Sequence, residues 1–456
     1  MIKTSKVLLA GLLLSTSAYA ELPTKSMNIT AKHAVDDGHV HGYVRLHQIF
    51  SGKSNGYDKD TGSVVGFGLK YGLEVLDGLR VGAEYYGSKD TGLTKTNRGT
   101  AGTGVAFGMM MNEFRTDYAY GGSFGAHISY QATKELKLEV ARSEFKSPLT
   151  KVPITFVPNM YEFAQVSAKT SFGKVNLAFM DRMSYGSRSA TDWGLIGEFT
   201  GTAGMYISPL ATPGSTVAPA IKRGDFYKID ETIKGANSSS GIAILGYENK
   251  FNNLKISAWD FRALNILNNF YASVDYKIPA PKGVSTTFSA QVLNQSVDSG
   301  QVDGTTILSD KYGGTMYGLQ AAVKIRAFTV KASVNSKDDK GFLNAWGADP
   351  GYTSSIFSRN EYRSNVKAYK LFFSYKIMKG LKLMAGYANY GKSDMYSAKY
   401  KVNPTTDATE ADVVVVYKPM KNVMLKLFNA SRTSEYDTAT TDRTQNHTRL
   451  IANYKF

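Results

Sequence analysis

The chain ends Thr448-Arg449-Leu450-Ile451-Ala452-Asn453-Tyr454-Lys455-Phe456. Leu450, Ala452, Tyr454 and Phe456 recur at period two, with Arg449, Asn453 and Lys455 between them. Successive side chains of a strand point to opposite faces. The segment therefore reads as a strand with an apolar face, a charged face and a terminal aromatic residue. Such a strand suits a barrel wall with lipid outside and water inside. Taken alone, it would also suit a soluble sheet, so the rest of the chain has to decide.

The other end of the sequence bears on where the chain goes. Lys3 and Lys6 are followed by the short apolar run Val7 to Leu14, then by Ala18-Tyr19-Ala20 before Glu21. This is the three-part pattern of a secretory signal peptide, and its apolar run is too short to span a bilayer. No Cys follows the cleavage site, so no lipid anchor is expected, and the chain has no Cys at all for disulfides. No later stretch approaches the ~20 apolar residues of a transmembrane helix. Mean hydropathy is −0.25, which would fit a soluble protein. Alternating lipid-facing and water-facing residues give the same average, however, and the 29 Tyr and 23 Phe suit interfacial girdles.

The connections between strands separate these options. About 18 amphipathic segments of barrel-spanning length can be drawn, from 42–50, 63–73 and 79–89 to 411–419, 422–433 and 448–456. Their connections alternate. Residues 74–78, Gly173, Asn252, 379–380 and 419–421 are tight turns; 90–122, 146–162, 185–240, 296–315, 337–365, 393–410 and 434–447 are long. One connection on the long side, Ala263 to Ile266, is short. Short turns at one end and long loops at the other are the topology of an outer-membrane barrel. A soluble sandwich has no reason to keep this parity. The expected fold is therefore all-β: a transmembrane antiparallel β-barrel with short periplasmic turns and long extracellular loops. The expected layout is a signal peptide at 1–20, a short periplasmic segment at 21–41 and the barrel at 42–456. A barrel this wide leaves an aqueous channel, and 21–41 is too short to plug it.

Period-two parity places many cations inside, among them Arg45, Lys70, Arg80, Lys324, Lys331, Lys426 and Arg449, against fewer acids such as Glu84, Glu139 and Asp412. The formal charge of the chain is +16. A charge facing lipid at midplane costs ~2–4 kcal/mol, so these side chains should face water. A low-dielectric wall of one sign concentrates counter-ions. Lys277, Arg326, Lys376, Lys382 and Lys455 read instead as rim residues snorkelling at the interface.

One stretch carries a specific resemblance. Ala345-Trp346-Gly347-Ala348-Asp349-Pro350-Gly351-Tyr352-Thr353-Ser354-Ser355 leads through Arg359, Asn360, Tyr362 and Arg363 to the strand Ala368-Tyr369-Lys370-Leu371-Phe372-Phe373-Ser374-Tyr375. It resembles the loop and following strand of OprD-type porins, in particular the Campylobacter-type major outer-membrane proteins. Gly42 to Leu46, Gly72 to Glu84 and Val157 to Glu162 fit the same family. The resemblance implies an 18-stranded channel whose third and seventh extracellular loops fold inward as a constriction. Residues 146–162 and 337–365 match those loops, with Pro158, Asn159, Tyr161, Glu162, Asp349, Tyr352 and Ser354 as constriction residues. It also implies a ladder of cations guiding carboxylates, matched here by Arg45, Arg80, Arg359 and Arg363. A homotrimer is implied too. Family members differ in ion preference.

The expected function is passive diffusion of small hydrophilic solutes across the outer membrane, favouring small anions and carboxylates. The alternatives are a cation-preferring general porin and a structural or adhesive barrel. No enzyme is expected, since no Ser-His-Asp order stands out. Expected partners are outer-membrane lipids and lipopolysaccharide, small solutes and the barrel assembly machinery, but not nucleic acid. In outer-membrane barrels generally the terminal pattern is the assembly signal, here Tyr454 and Phe456. No cofactor or metal site is expected, apart from loop Ca²⁺ considered at Asp58-x-Asp60. His39, His41 and His47 share a face but lack supporting carboxylates, and read as periplasmic-rim residues.

Overall fold

The computed structural model describes residues 38–51, 60–94, 122–151, 156–184, 186, 224–233, 236–298, 301–302, 306–343, 346–358, 360, 363–395, 404–437 and 442–456. Eighteen strands form one sheet. Numbered along the wall, they are β1 (His39–Ser51), β2 (Asp60–Leu76), β3 (Leu79–Asp90), β4 (Gly122–Gln131), β5 (Leu136–Ser143), β6 (Met160–Thr170), β7 (Gly173–Ser184), β8 (Ile242–Phe251) and β9 (Leu254–Ala263). Then follow β10 (Leu267–Ile278), β11 (Val284–Val297), β12 (Gly314–Ile325), β13 (Phe328–Lys337), β14 (Lys367–Met378), β15 (Leu381–Asn389), β16 (Thr405–Met420), β17 (Val423–Tyr436) and β18 (Arg443–Lys455). Each pairs antiparallel with its neighbours in sequence. β1 also pairs with β18, from Tyr43↔Lys455 to Ser51↔His447. Closure leaves no sheet edge to be satisfied in lipid.

The terminal stretch is the closing seam. Gly42 N donates to Phe456 O at 2.9 Å, and Phe456 N donates to Gly42 O at 3.1 Å. A Cβ on Gly42 would run into the Gly68 carbonyl and the Phe456 ring, so a glycine lets the last residue lie flat against β1. Leu450, Tyr454 and Phe456 are exposed on the outer surface, as are Leu319 and Val323, whereas Ile451, Asn453 and Arg449 are buried inside. Leu79 and Val81 are half-exposed on the same outer side. Alternation thus puts apolar side chains against lipid and polar ones against the lumen, the inverse of a soluble core.

The short turns lie together at one end. Gly78 has φ +75° and Gly380 φ +86°. A Cβ on either would press on a neighbouring carbonyl, that of Gln131 or of Lys418. At the other end, β9 passes to β10 through a short turn with Asn265 at φ +64°. The barrel begins at His39, earlier than expected. β16 starts at Thr405 rather than 411, and β18 at Arg443 rather than 448. In the β16 and β18 extensions both faces carry polar residues, so the hydrophobic alternation that marks a lipid-facing strand is missing there.

Candidate functional site

Two long loops turn into the barrel, and each is tied to the inner wall by polar and aromatic contacts. The first, residues 144–159 between β5 and β6, begins with a self-bonded turn. Ser147 Oγ accepts from the N–H groups of Leu149 and Thr150, both at 3.2 Å, and Thr150 Oγ1 donates to Phe145 O at 2.6 Å. Phe145 sets its ring edge-on to Phe163 at 5.0 Å and to Phe261 at 6.0 Å. The far end reaches the opposite wall. Phe156 lies on His47 with ring centroids 4.1 Å apart, and the Tyr43 hydroxyl donates to its carbonyl. Gly66 makes this seat, since a Cβ there would overlap the Phe156 ring. His47 is therefore fully buried within the barrel and not at the periplasmic rim, because the loop covers it.

The second loop, residues 338–366 between β13 and β14, is longer and more heavily tethered. Gln295 Nε2 donates to Leu343 O at 2.9 Å, and Leu343 N donates to Gln295 Oε1 at 2.8 Å. Trp346 packs on Phe261 at 5.3 Å. Asp349 shapes the next turn by accepting from Gly351 N at 3.0 Å, Ser354 Oγ at 2.5 Å and Asn360 N at 3.1 Å. Thr353 N donates to Asn335 Oδ1 at 2.8 Å, and Lys370 Nζ donates to Ser354 O at 2.8 Å. The buried Glu410 carboxylate accepts from Phe357 N at 2.9 Å and Ser358 N at 2.6 Å. The Tyr390 hydroxyl shares its one proton between the carbonyls of Thr353 and Ser358, at 2.9 and 3.0 Å. Burial, with the nearby Glu410 charge, holds the Tyr390 phenol well above its ordinary pKa, so it stays a donor. Burial likewise raises the pKa of Tyr352, whose hydroxyl reaches Ala290 O at 3.4 Å.

The two loops meet. Ala348 N donates to Leu149 O at 3.3 Å. Tyr161 OH donates to Trp346 O at 2.8 Å, and Asn159 Nδ2 does so at 3.4 Å. Among the described residues, both loops thus occupy part of the barrel interior.

Part of that wall is basic. Register places Arg432 opposite Gln445, Arg449 opposite Phe428 and Ile49, Lys426 opposite Ile451, and Arg45 opposite Asn453. From the long-loop end downward, these four cations follow one another across β17, β18 and β1. The upper pair is buried beneath the loop: Arg432 and Arg449 lie 5.2 and 6.0 Å from the Phe357 ring centroid, and Phe357 also contacts His447 at 4.8 Å. The lower pair is only partly buried. Arg45 stacks over Tyr43 at 4.9 Å and donates to Asn453 Oδ1 at 3.0 Å. Two strands away the charge changes sign, with Lys70 held between Glu84 at 3.0 Å and Glu144 at 3.4 Å.

The expected site residues are therefore scattered. Arg45 belongs to the basic stripe. Lys70 is neutralised by its acids. Lys331 lies over the Phe372 ring at 5.9 Å, and Lys324 is exposed near the short-turn end of β12. Arg80 does not approach the loops. It is 67 % exposed at the start of β3 and paired to Glu74 at 2.9 Å, because the Asp77-Gly78 turn folds the two strand ends together. Arg363 is 1 % exposed, bonded to Ser393 at 3.0 Å and stacked on Tyr390 at 4.8 Å, so it packs the loop base and does not line a water path. Arg359 lies outside the described residues. Asn159, Tyr161, Asp349, Tyr352 and Ser354 hold the two loops as described, and Pro158 is half-buried beside Asn159. Glu162 is instead inside β6, bonded to Arg142 and 4.0 Å from Arg182. The sequence reading gave no role to Tyr43, Phe156, Phe357, Glu410 or Arg432. Only the period-two parity of β16 and β17 could have pointed to the last two. Among the described residues no group of three or more His, Asp or Glu is placed to hold a metal. Asp58 lies outside them, as does the side chain of Asp60.

A family model described as outer membrane porin, OprD family, matches residues 220–456. The chain belongs to the OprD family. Its barrel resembles solved porin structures at low sequence identity. OccK9 (OpdG) of Pseudomonas aeruginosa is 16 % identical with a TM-score of 0.66, covering 93 % of this chain and 100 % of its own. OccAB2 of Acinetobacter baumannii is 14 % identical with a TM-score of 0.68, covering 93 % and 99 %. OpdK of Pseudomonas aeruginosa, solved with vanillate, is 12 % identical with a TM-score of 0.65, covering 91 % and 98 %. No curated protein matches. This OprD-family porin is an outer-membrane channel and not an enzyme. It works among membrane lipids and passes small solutes.

Proposed function

We propose that this OprD-family porin favours small carboxylates over neutral solutes of similar size. The observation that carries this reading is the stripe of Arg432, Arg449, Lys426 and Arg45 down one side of the lumen, its upper pair beneath Phe357 of the second loop. Arg432 and Arg449 are covered by Phe357, and Arg432 stands opposite the buried Glu410, so at this level Arg449 supplies the field. Arg45 and Lys426 are open enough to touch a solute. A guanidinium fork matches a carboxylate in shape as well as charge. A unit anion ~5 Å from one such group gains roughly 3 kcal/mol at an effective dielectric of ~20. That is enough to draw the solute in and weak enough to release it, as conduction requires. The vanillate found with OpdK is a solute of the class proposed here.

Proteoliposome flux tests the reading, with benzoate compared against a neutral sugar of similar size. In Arg45→Gln/Lys426→Gln the benzoate flux is expected to fall severalfold while sugar flux holds. Equal fluxes in wild type, or a variant that loses both together, would reject carboxylate preference and leave a general porin. Faster flux of an amine than of benzoate would assign the preference to the Glu84 and Glu144 side instead.

A further inference from the structure

The outer surface of the barrel is not smooth. Ala290 on β11, Ala321 on β12 and Ala332 on β13 all point outward. Ala321 stands directly opposite Ala332, and Ala290 opposite Leu319 two residues along β12. Three methyl groups in a diagonal row leave a trough of about 640 Å³ in a surface otherwise raised by large side chains. Phe288, Leu319 and Leu371 flank it, and Tyr276 stands at its lower end, towards the short turns. The trough faces lipid, so its filling is apolar. What it fits is a chain and not a flat surface: its floor is three alanines and its walls are the rings and branched side chains of five adjacent strands.

Below the trough the connecting turns are basic. The β10–β11 connection reads Ile278-Pro279-Ala280-Pro281-Lys282-Gly283, the β12–β13 turn is Arg326-Ala327, and β14 passes to β15 through Lys376-Ile377-Met378-Lys379-Gly380. None of these segments carries an Asp or Glu. Lys282, Arg326, Lys376 and Lys379 are all exposed. The turns also bond to one another: Arg326 N donates to Gly283 O at 2.7 Å, and Lys376 N donates to Ala327 O at 3.0 Å. Arg326 sits at φ +51°, a conformation in which a glycine or asparagine would be the ordinary choice. Five residues separate Ala321 from Arg326, roughly 17 Å at ~3.3 Å per residue, a span that an extended acyl chain and its glycerol can cover.

We propose that this surface binds an anionic phospholipid of the inner leaflet of the outer membrane. One acyl chain lies in the Ala290–Ala321–Ala332 trough, and the phosphate rests at the turns that carry Lys282 and Arg326. The charge of the turns is complementary to an acidic headgroup, and the apolar trough above them makes the contact specific to a lipid. Basic residues at a membrane surface attract anionic lipid and lose that attraction in salt. A neutral headgroup gains only the trough.

Spin-label EPR of the full-length porin in bilayers of phosphatidylethanolamine and phosphatidylglycerol tests this. The reading is the motionally restricted fraction of labelled phosphatidylglycerol against labelled phosphatidylcholine. Wild type is expected to restrict more phosphatidylglycerol, with the excess shrinking at high salt. Lys282→Gln/Arg326→Gln should remove the excess. Ala321→Phe/Ala332→Phe, which fills the trough, should lower the restricted fraction of both lipids. Heat-modifiable gel mobility checks that each variant is folded. Equal restriction of the two lipids by wild type would overturn the headgroup assignment. An unchanged fraction in the folded, trough-filled variant would overturn the chain site. Crosslinking of two copies through a cysteine at 332 would assign the trough to a second copy of the chain and not to a lipid.

Discussion

Glu410 shows how much one inward residue does in this barrel. Its carboxylate accepts two backbone N–H groups, those of Phe357 and Ser358, and so fixes the tip of the 338–366 loop against β16. A hydrogen bond to a charged group contributes roughly 1.5–3 kcal/mol. Glu410→Ala removes both bonds and leaves two loop donors unmet. Glu410→Gln keeps a carbonyl oxygen that can accept either. The expected outcome is that the alanine variant inserts normally, conducts more than wild type and is cut faster by protease within 338–366, with the glutamine variant in between. Single-channel recording and limited proteolysis read this directly. Unchanged conductance in Glu410→Ala would mean that the Phe357 tip does not narrow the channel. At this scale the sequence was only partly legible. Parity said which cations face inward, and Arg45, Lys426 and Arg449 do. It could not say which of them a loop would cover, or that Arg80 and Arg363 would be engaged by Glu74 and by Ser393 with Tyr390, because those partners come from elsewhere in the chain.

Strands were far easier to read than loops. A lipid-facing strand must alternate, since a polar group pointing into hydrocarbon is costly, and that constraint is visible in Leu319, Ala321 and Val323 or in Leu450, Ala452 and Tyr454. It lapses at Thr405 to Glu410 and Arg443 to His447, where the wall rises beyond the lipid and both faces are polar. The inward loops follow no period. Their position came from resemblance, whereas their anchors are aromatic residues that a sequence cannot assign to partners: Phe156 to His47, Trp346 to Phe261, Phe357 to His447. Their meeting point can be tested as an element-level contact. The chain has no Cys, so Leu149→Cys/Ala348→Cys introduces a single pair, at residues joined by a backbone bond of 3.3 Å. We expect the disulfide to form in the folded porin on mild oxidation and to leave the conductance unchanged, because it joins loops already in contact. Two free thiols in the oxidised, folded protein would show that the loops stand apart.

The whole molecule is a closed ring, and the ring depends on its last residue meeting its first strand. Phe456 exchanges two backbone bonds with Gly42 and continues the outward row of Tyr454, with rings 6.2 Å apart. Deleting Phe456 removes both bonds and the terminal aromatic residue. Insertion into the outer membrane is expected to slow or fail, seen as loss of the heat-modifiable form on gels. Normal insertion would show that the assembly signal lies elsewhere. Once closed, the barrel divides its charge. The seam of β17, β18 and β1 is basic, and Lys70 stands between two acids, Glu84 and Glu144. Selectivity is therefore a property of the assembled ring that no single strand displays. The zero-current potential of the wild-type porin in a KCl gradient measures it most directly. The basic stripe predicts a potential of the sign set by chloride, shrinking as total salt screens the lumen and moving towards potassium in Arg45→Glu/Lys426→Glu. A potential set by potassium in wild type, or one that the double charge reversal leaves unchanged, would contradict it.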